Sequence, residues 1–84
     1  MSEGWQFVLN ETSVHFLLGI TARHRQQLIH ALEAIAAEPL QKGDFEAKDE
    51  NGRSIQIKAA GLFLISFWPD TFVRELRVIN LEWV

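Results

Sequence analysis

The chain has no cysteine and no tyrosine among its 84 residues. Without thiols there is neither a disulfide framework nor a thiolate metal site, so stability has to come from apolar packing. Apolar runs such as Leu62 to Ile65 fall far short of the roughly 20 residues that span a bilayer, so no membrane segment is expected. A surplus of cations is missing too. Eight Lys and Arg against eleven Asp and Glu give a formal charge of -3, a field that repels nucleic acid and anionic lipid. Met1 to Gly4 carry an acid where a leader would carry basic residues, so no secretory or transit signal is read and a cytoplasmic location is the expectation. What is present is the balance of a folded protein, 48% hydrophobic and 23% charged. That is too apolar for intrinsic disorder, and the length suits one domain over residues 1–84.

Trp5, Phe7 and Leu9 alternate with Gly4, Gln6 and Val8, the period of a strand with one apolar face over residues 4–9. Asn10 is an N-cap residue type, and Val14, Leu17 and Leu18 follow at helical spacing until Gly19. Thr21 can cap a second helix in which Leu28, Leu32 and Ile35 recur at i, i+4 and i+7. Arg23, Gln26, His30 and Glu33 then face away. Pro39 disfavours helical geometry at Glu38, so this helix stops near Ala37 and the pair forms an αα-hairpin.

Beyond Pro39 the period changes to two. After a turn at Lys42-Gly43-Asp44, Phe45 and Ala47 alternate with Glu46 and Lys48. Asn51-Gly52 suits a type I′ turn into an antiparallel strand where Ile55, Ile57 and Ala59 alternate with Ser54, Gln56 and Lys58. Ala60-Gly61 makes a second tight turn before the strand Leu62 to Phe67, and Pro69-Asp70 a third before the strand Phe72 to Leu81. The fold class expected is α+β, order β-α-α-β-β-β-β, with a two-helix hairpin on one face of a mainly antiparallel sheet.

One helical hairpin covers one sheet face. With Ala60-Gly61 as the turn, Ala59 pairs with Leu62 and Ile57 with Leu64. The isoleucines then face the helices, while Phe63, Ile65 and Phe67 form an apolar row on the other side beside Lys58, Gln56 and Ser54. A three-residue turn puts Leu62 and Leu64 outside instead. Three such side chains left in water forgo about 1.5–3 kcal/mol each, a sum comparable with the net stability of a small domain. Phe63, Ile65 and Phe67, together with Trp83, are therefore read as a partner-binding surface, the partner being another protein or a second copy of the chain.

Catalytic chemistry is harder to find. His24 and His30 lie about 240° apart around one helix and His15 is on the other, so no metal centre is expected. There is no Gly-rich phosphate loop, HExxH motif or nucleophile elbow, and no cofactor is implied. Asp44 and Glu46 share a strand face, an arrangement usual on a solvated surface. Arg53, Lys58, Arg74 and Arg77 are the candidate RNA-binding residues, a phosphate-binding strip if they share the outer face, with Glu75 available to pair with its neighbours.

The run Leu28 to Pro39 is followed by Lys42-Gly43-Asp44-Phe45, Asp49-Glu50-Asn51-Gly52-Arg53-Ser54-Ile55, Gly61-Leu62-Phe63-Leu64-Ile65 and Glu75-Leu76-Arg77-Val78-Ile79. In that order these segments resemble the RelE/ParE superfamily of toxins from type II toxin–antitoxin modules, over nearly the whole chain. The resemblance implies the same helical hairpin on one face of a mainly antiparallel sheet, and a cognate antitoxin that wraps the toxin. It implies one of two targets, since RelE-like members cleave messenger RNA on the ribosome and ParE-like members inhibit DNA gyrase. RNase members carry an arginine just after the glycine that opens the fourth strand. Here Phe63 stands two residues after Gly61, and Lys58 is the basic group near the RNA-facing strand. Cleavage without a cation for the phosphorane-like transition state and a positioned acid or base loses most of its acceleration. An mRNA endonuclease is thus implied by likeness while its expected catalytic groups are not visible. The alternative is a non-catalytic interaction protein or homodimer on the toxin scaffold.

Overall fold

Two side-chain caps start the helices. In the computed structural model, which describes residues 4–84, Asn10 Oδ1 accepts a hydrogen bond from the Ser13 N–H at 2.9 Å and opens α1 (Glu11–Leu18). Of Met1 to Gly4, where no leader is read, all but Gly4 lie outside the described residues. Thr21 Oγ1 accepts from the His24 N–H at 3.3 Å and opens α2 (Ala22–Ala37), which ends where Pro39 predicts. Arg25 joins the two. Its Nε donates to the Leu17 carbonyl at 2.8 Å and its Nη2 to the Ile20 carbonyl at 2.9 Å, satisfying carbonyls that α1 and its turn leave unpaired.

Five strands complete the expected order: β1 (Gln6–Leu9) before the helices, then β2 (Phe45–Lys48), β3 (Ser54–Ala60), β4 (Phe63–Asp70) and β5 (Glu75–Trp83). They lie side by side as β1-β5-β4-β3-β2, with β1 parallel to β5 and every other pair antiparallel. The mainly antiparallel sheet is as the pattern predicts. Its turns are not.

Gly61 has φ +60 and Ala60 pairs with Phe63, so the two loop residues are Gly61 and Leu62, not Ala60 and Gly61. Glycine with positive φ at the first central position, followed by an ordinary L-residue, suits a type II′ hairpin turn. This one-residue difference reverses the expected faces. Phe63, Ile65 and Phe67 point toward the helices and join Leu76, Val78 and Leu81 beneath Leu17, Leu28, Leu32 and Ile35. Ile55 and Ile57 turn to the opposite face with Leu64. The expected outer row is therefore the centre of the core.

Two other turns differ as well. Asn51 does not adopt positive φ. The Gly52 N–H donates to the Asp49 carbonyl at 3.0 Å, the Asp49 N–H donates to the Arg53 carbonyl at 3.0 Å, and Gly52 has φ +79. That is a three-residue loop with a glycine bulge rather than a type I′ turn. Asp49 Oδ1 reinforces it by accepting from the Asn51 and Arg53 N–H groups, each at 2.9 Å. The last hairpin turns over residues 71–74 instead of at Pro69-Asp70, which belong to β4, so Phe72 is loop and 98% exposed.

β5 carries a bulge. Ser66 pairs with Asn80 but Phe67 with Val78, leaving Ile79 as the extra residue. The phase shift lets Leu76 and Val78 before it, and Leu81 after it, all reach the core, which explains the mixed apolar pattern of this strand. The helices cover β1, β5 and β4. On their side of the sheet β2 and β3 present Glu46, Lys48, Ser54, Gln56 and Lys58 instead of a second apolar layer.

Truncation separates the two assignments of faces. Phe67→Ala, at a site with no exposure, is expected to cost about 3–5 kcal/mol in urea unfolding. Phe72→Ala is expected to stay within about 0.5 kcal/mol.

Candidate interaction surface

Register decides where each candidate group stands. Arg53 and Trp68 are on the face away from the helices, where the Arg53 guanidinium lies 3.9 Å from the Trp68 ring centroid. Asp49 Oδ2 accepts from Nη1 of that guanidinium at 3.4 Å. Arg77, paired across strands with Trp68, reaches Glu75 Oε1 at 3.0 Å through Nη2 and Asp70 Oδ2 at 3.4 Å through Nε. Both arginines of this face are thus matched by carboxylates. Such half-exposed pairs are weak individually, yet the acidic groups remain beside any incoming phosphate.

Lys58 is on the opposite side. It faces α2 across a cleft of about 290 Å³ that Ala31, Ile35, Glu38 and Ala60 also line. Arg74 is in the β4–β5 loop with φ +55. The four proposed RNA-binding residues Arg53, Lys58, Arg74 and Arg77 do not form one strip, because strand alternation sends Lys58 through the sheet from Arg53.

The partner-binding set is divided in the same way. Phe63, Ile65 and Phe67 are buried and offer no open surface. Trp83 remains 46% exposed and packs against Phe63, with which the sequence grouped it, and against His24 and Phe16, with which it did not. Its ring centroid lies 5.0 Å from Phe63, 5.2 Å from His24 and 5.7 Å from Phe16. The Val84 N–H donates to the Leu62 carbonyl at 2.8 Å, placing two further exposed apolar residues at this end of the sheet. Leu62 is exposed because it occupies the turn. The usable signal was Gly61 itself, since glycine followed by another residue marks a two-residue turn.

Asp44 and Glu46 have structural partners. Asp44 Oδ2 accepts from the Ala59 N–H at 2.8 Å. Hydrogen bonds from Ser54 and then Gln56 hold the Glu46 carboxyl below its ordinary pKa, helped by the charges of Lys48 and Lys42. Among the described residues no three His, Asp or Glu side chains gather closely enough to hold a metal ion, and no helix is long and apolar enough to cross a membrane.

No family model and no curated protein matches the chain. Solved structures do. The archaeal RelE–RelB complex from Pyrococcus horikoshii OT3 contains a chain that superposes with a TM-score of 0.72 at 8% identity, covering 95% of this chain and 94% of that one. The intact E. coli RelBE toxin–antitoxin complex contains another, with a TM-score of 0.62 at 11% identity over 95% and 96% of the two chains. At these identities the likeness establishes the fold: this chain has the RelE-like α+β fold.

Ser54→Ala removes the first of the Glu46 hydrogen bonds. The Glu46 pKa, followed by side-chain NMR, is expected to rise toward the ordinary value. Because the folded-state pKa is depressed, the stabilisation is present above the unfolded pKa and is lost as pH falls through the folded one. The variant should lose part of that acid-side dependence.

Proposed function

We propose that the chain is the toxin component of a type II toxin–antitoxin module, acting in the cytoplasm and neutralised by a small antitoxin. The observation that carries this reading is the RelE-like fold shared over 95% of the chain with a protein crystallised in a RelE–RelB complex. The apolar end formed by Leu62, Trp83 and Val84 supports a protein partner. A large aromatic side chain already stacked on Phe63, Phe16 and His24 loses little freedom on docking, which is the character of a binding anchor.

Expression of the chain alone in growing cells tests the reading. Arrest that is relieved by co-expressing a small protein encoded beside it is the expected result, and normal growth at high expression would sink the toxin assignment. Messenger RNA sampled during arrest separates the targets. Cut messages point to an endonuclease, and intact messages with failing DNA supercoiling point to a gyrase poison. Trp83→Ala is expected to weaken antitoxin binding by roughly tenfold or more in calorimetry.

A further inference from the structure

The outermost strand β2 has a neighbour, β3, on one side only. Its residues alternate in which edge their peptide groups face. The Asp49 N–H bonds to the Arg53 carbonyl, and Ala47 opposite Ile55 and Phe45 opposite Ile57 continue that inward-bonded set. Glu46 and Lys48 therefore direct their N–H and C=O groups to the free edge.

An antiparallel strand can dock on this edge only with outward-facing residues opposite each other. For a second copy of β2 three registers meet that condition. One sets Glu46 against Glu46 of the second copy, and another Lys48 against Lys48. In the third, Glu46 lies opposite Lys48 and Lys48 opposite Glu46, with a two-fold axis through the Ala47 pair. The first two put like charges on the symmetry axis. The Glu46–Glu46 register also sets Lys48 opposite Asp44, but existing partners do not separate the registers, since Asp44 accepts from the Ala59 N–H, Lys48 Nζ donates to Ser54 Oγ at 2.9 Å and Ser54 and Gln56 hydrogen-bond Glu46; the like charges on the axis do. The third gives two opposite-charge pairs and four backbone hydrogen bonds. On the face away from the helices it places Phe45, which is 61% exposed, diagonally across from Ala47 of the second copy.

From this we infer that β2 is a self-docking edge: two copies of the chain join antiparallel through β2, in the register that opposes Glu46 and Lys48, to make one ten-stranded sheet. The inference does not rest on the proposed toxin activity. The alternating acid and base that look like ordinary surface charge are self-complementary when the strand is read against itself. Small Ala47 side chains at the axis let the two edges approach.

Sedimentation equilibrium of the purified chain over a wide concentration range is expected to show a reversible dimer. Lys48→Glu, which turns both opposed pairs repulsive, should weaken it by roughly tenfold. Combining it with Glu46→Lys restores the alternation in reverse and should restore the dimer, with urea midpoints checking that each variant is folded. In the wild type, amide exchange at Glu46 and Lys48 should slow as concentration rises while that at Phe72 does not. A monomer up to millimolar concentration, a dimer indifferent to Lys48→Glu, failure of the charge swap to rescue, or concentration-independent exchange at Glu46 and Lys48 would each overturn the inference.

Discussion

A single backbone conformation orders the rest of the molecule. Gly61 at φ +60 closes the β3–β4 hairpin in two residues and sets Ala60 opposite Phe63. Strand side chains alternate with a period of two, so this pairing determines which member of each neighbouring pair enters the core. It sends Phe63, Ile65 and Phe67 under the helical hairpin and turns Ile55 and Ile57 away. The bulge at Ile79 then keeps β5 in phase with β4, so that Leu81 still meets the core beside Ile65. Turn and bulge together make one continuous apolar interior from strands whose patterns otherwise conflict.

The same parity distributes the polar groups. Lys58 falls on the helical side while Arg53 and Arg77 fall on the other, where Asp49, Asp70 and Glu75 match them. Arg53 and Arg77 are thus not unpaired in the way phosphate recognition favours. Protein surfaces are better served. Trp83 is braced by three aromatic neighbours and stands open beside Leu62 and Val84, while β2 offers an unpaired edge at the far side of the sheet.

Elements whose signal is local were legible before any coordinates. Asn10 and Thr21 cap the helices, Pro39 bounds α2, and the strand order follows from successive changes of period. The errors came where two residues competed for one role. The sequence points to Ala60-Gly61 as the turn where the loop residues are Gly61 and Leu62, and that one-residue difference inverts the assignment of an entire face. Asn51-Gly52 was a turn signal, but Asp49 accepted two N–H groups and lengthened the loop to three residues. Pro69 marked a turn by composition, yet it lies in β4 opposite Leu76.

Composition and periodicity by themselves determined a two-helix, five-strand α+β chain and its element order, while the expectation that Phe63, Ile65 and Phe67 need shelter from outside the helical hairpin is overturned, because the hairpin itself buries them. The elements and their order follow from caps, prolines and spacing, each of which acts within a few residues along the chain. Only the tertiary structure decided which side chains receive that shelter, and therefore which cations share a face and which aromatics remain open. The reason is geometric: facing is a property of pairing between strands, and a shift of one residue in a single turn reverses it without altering any local propensity.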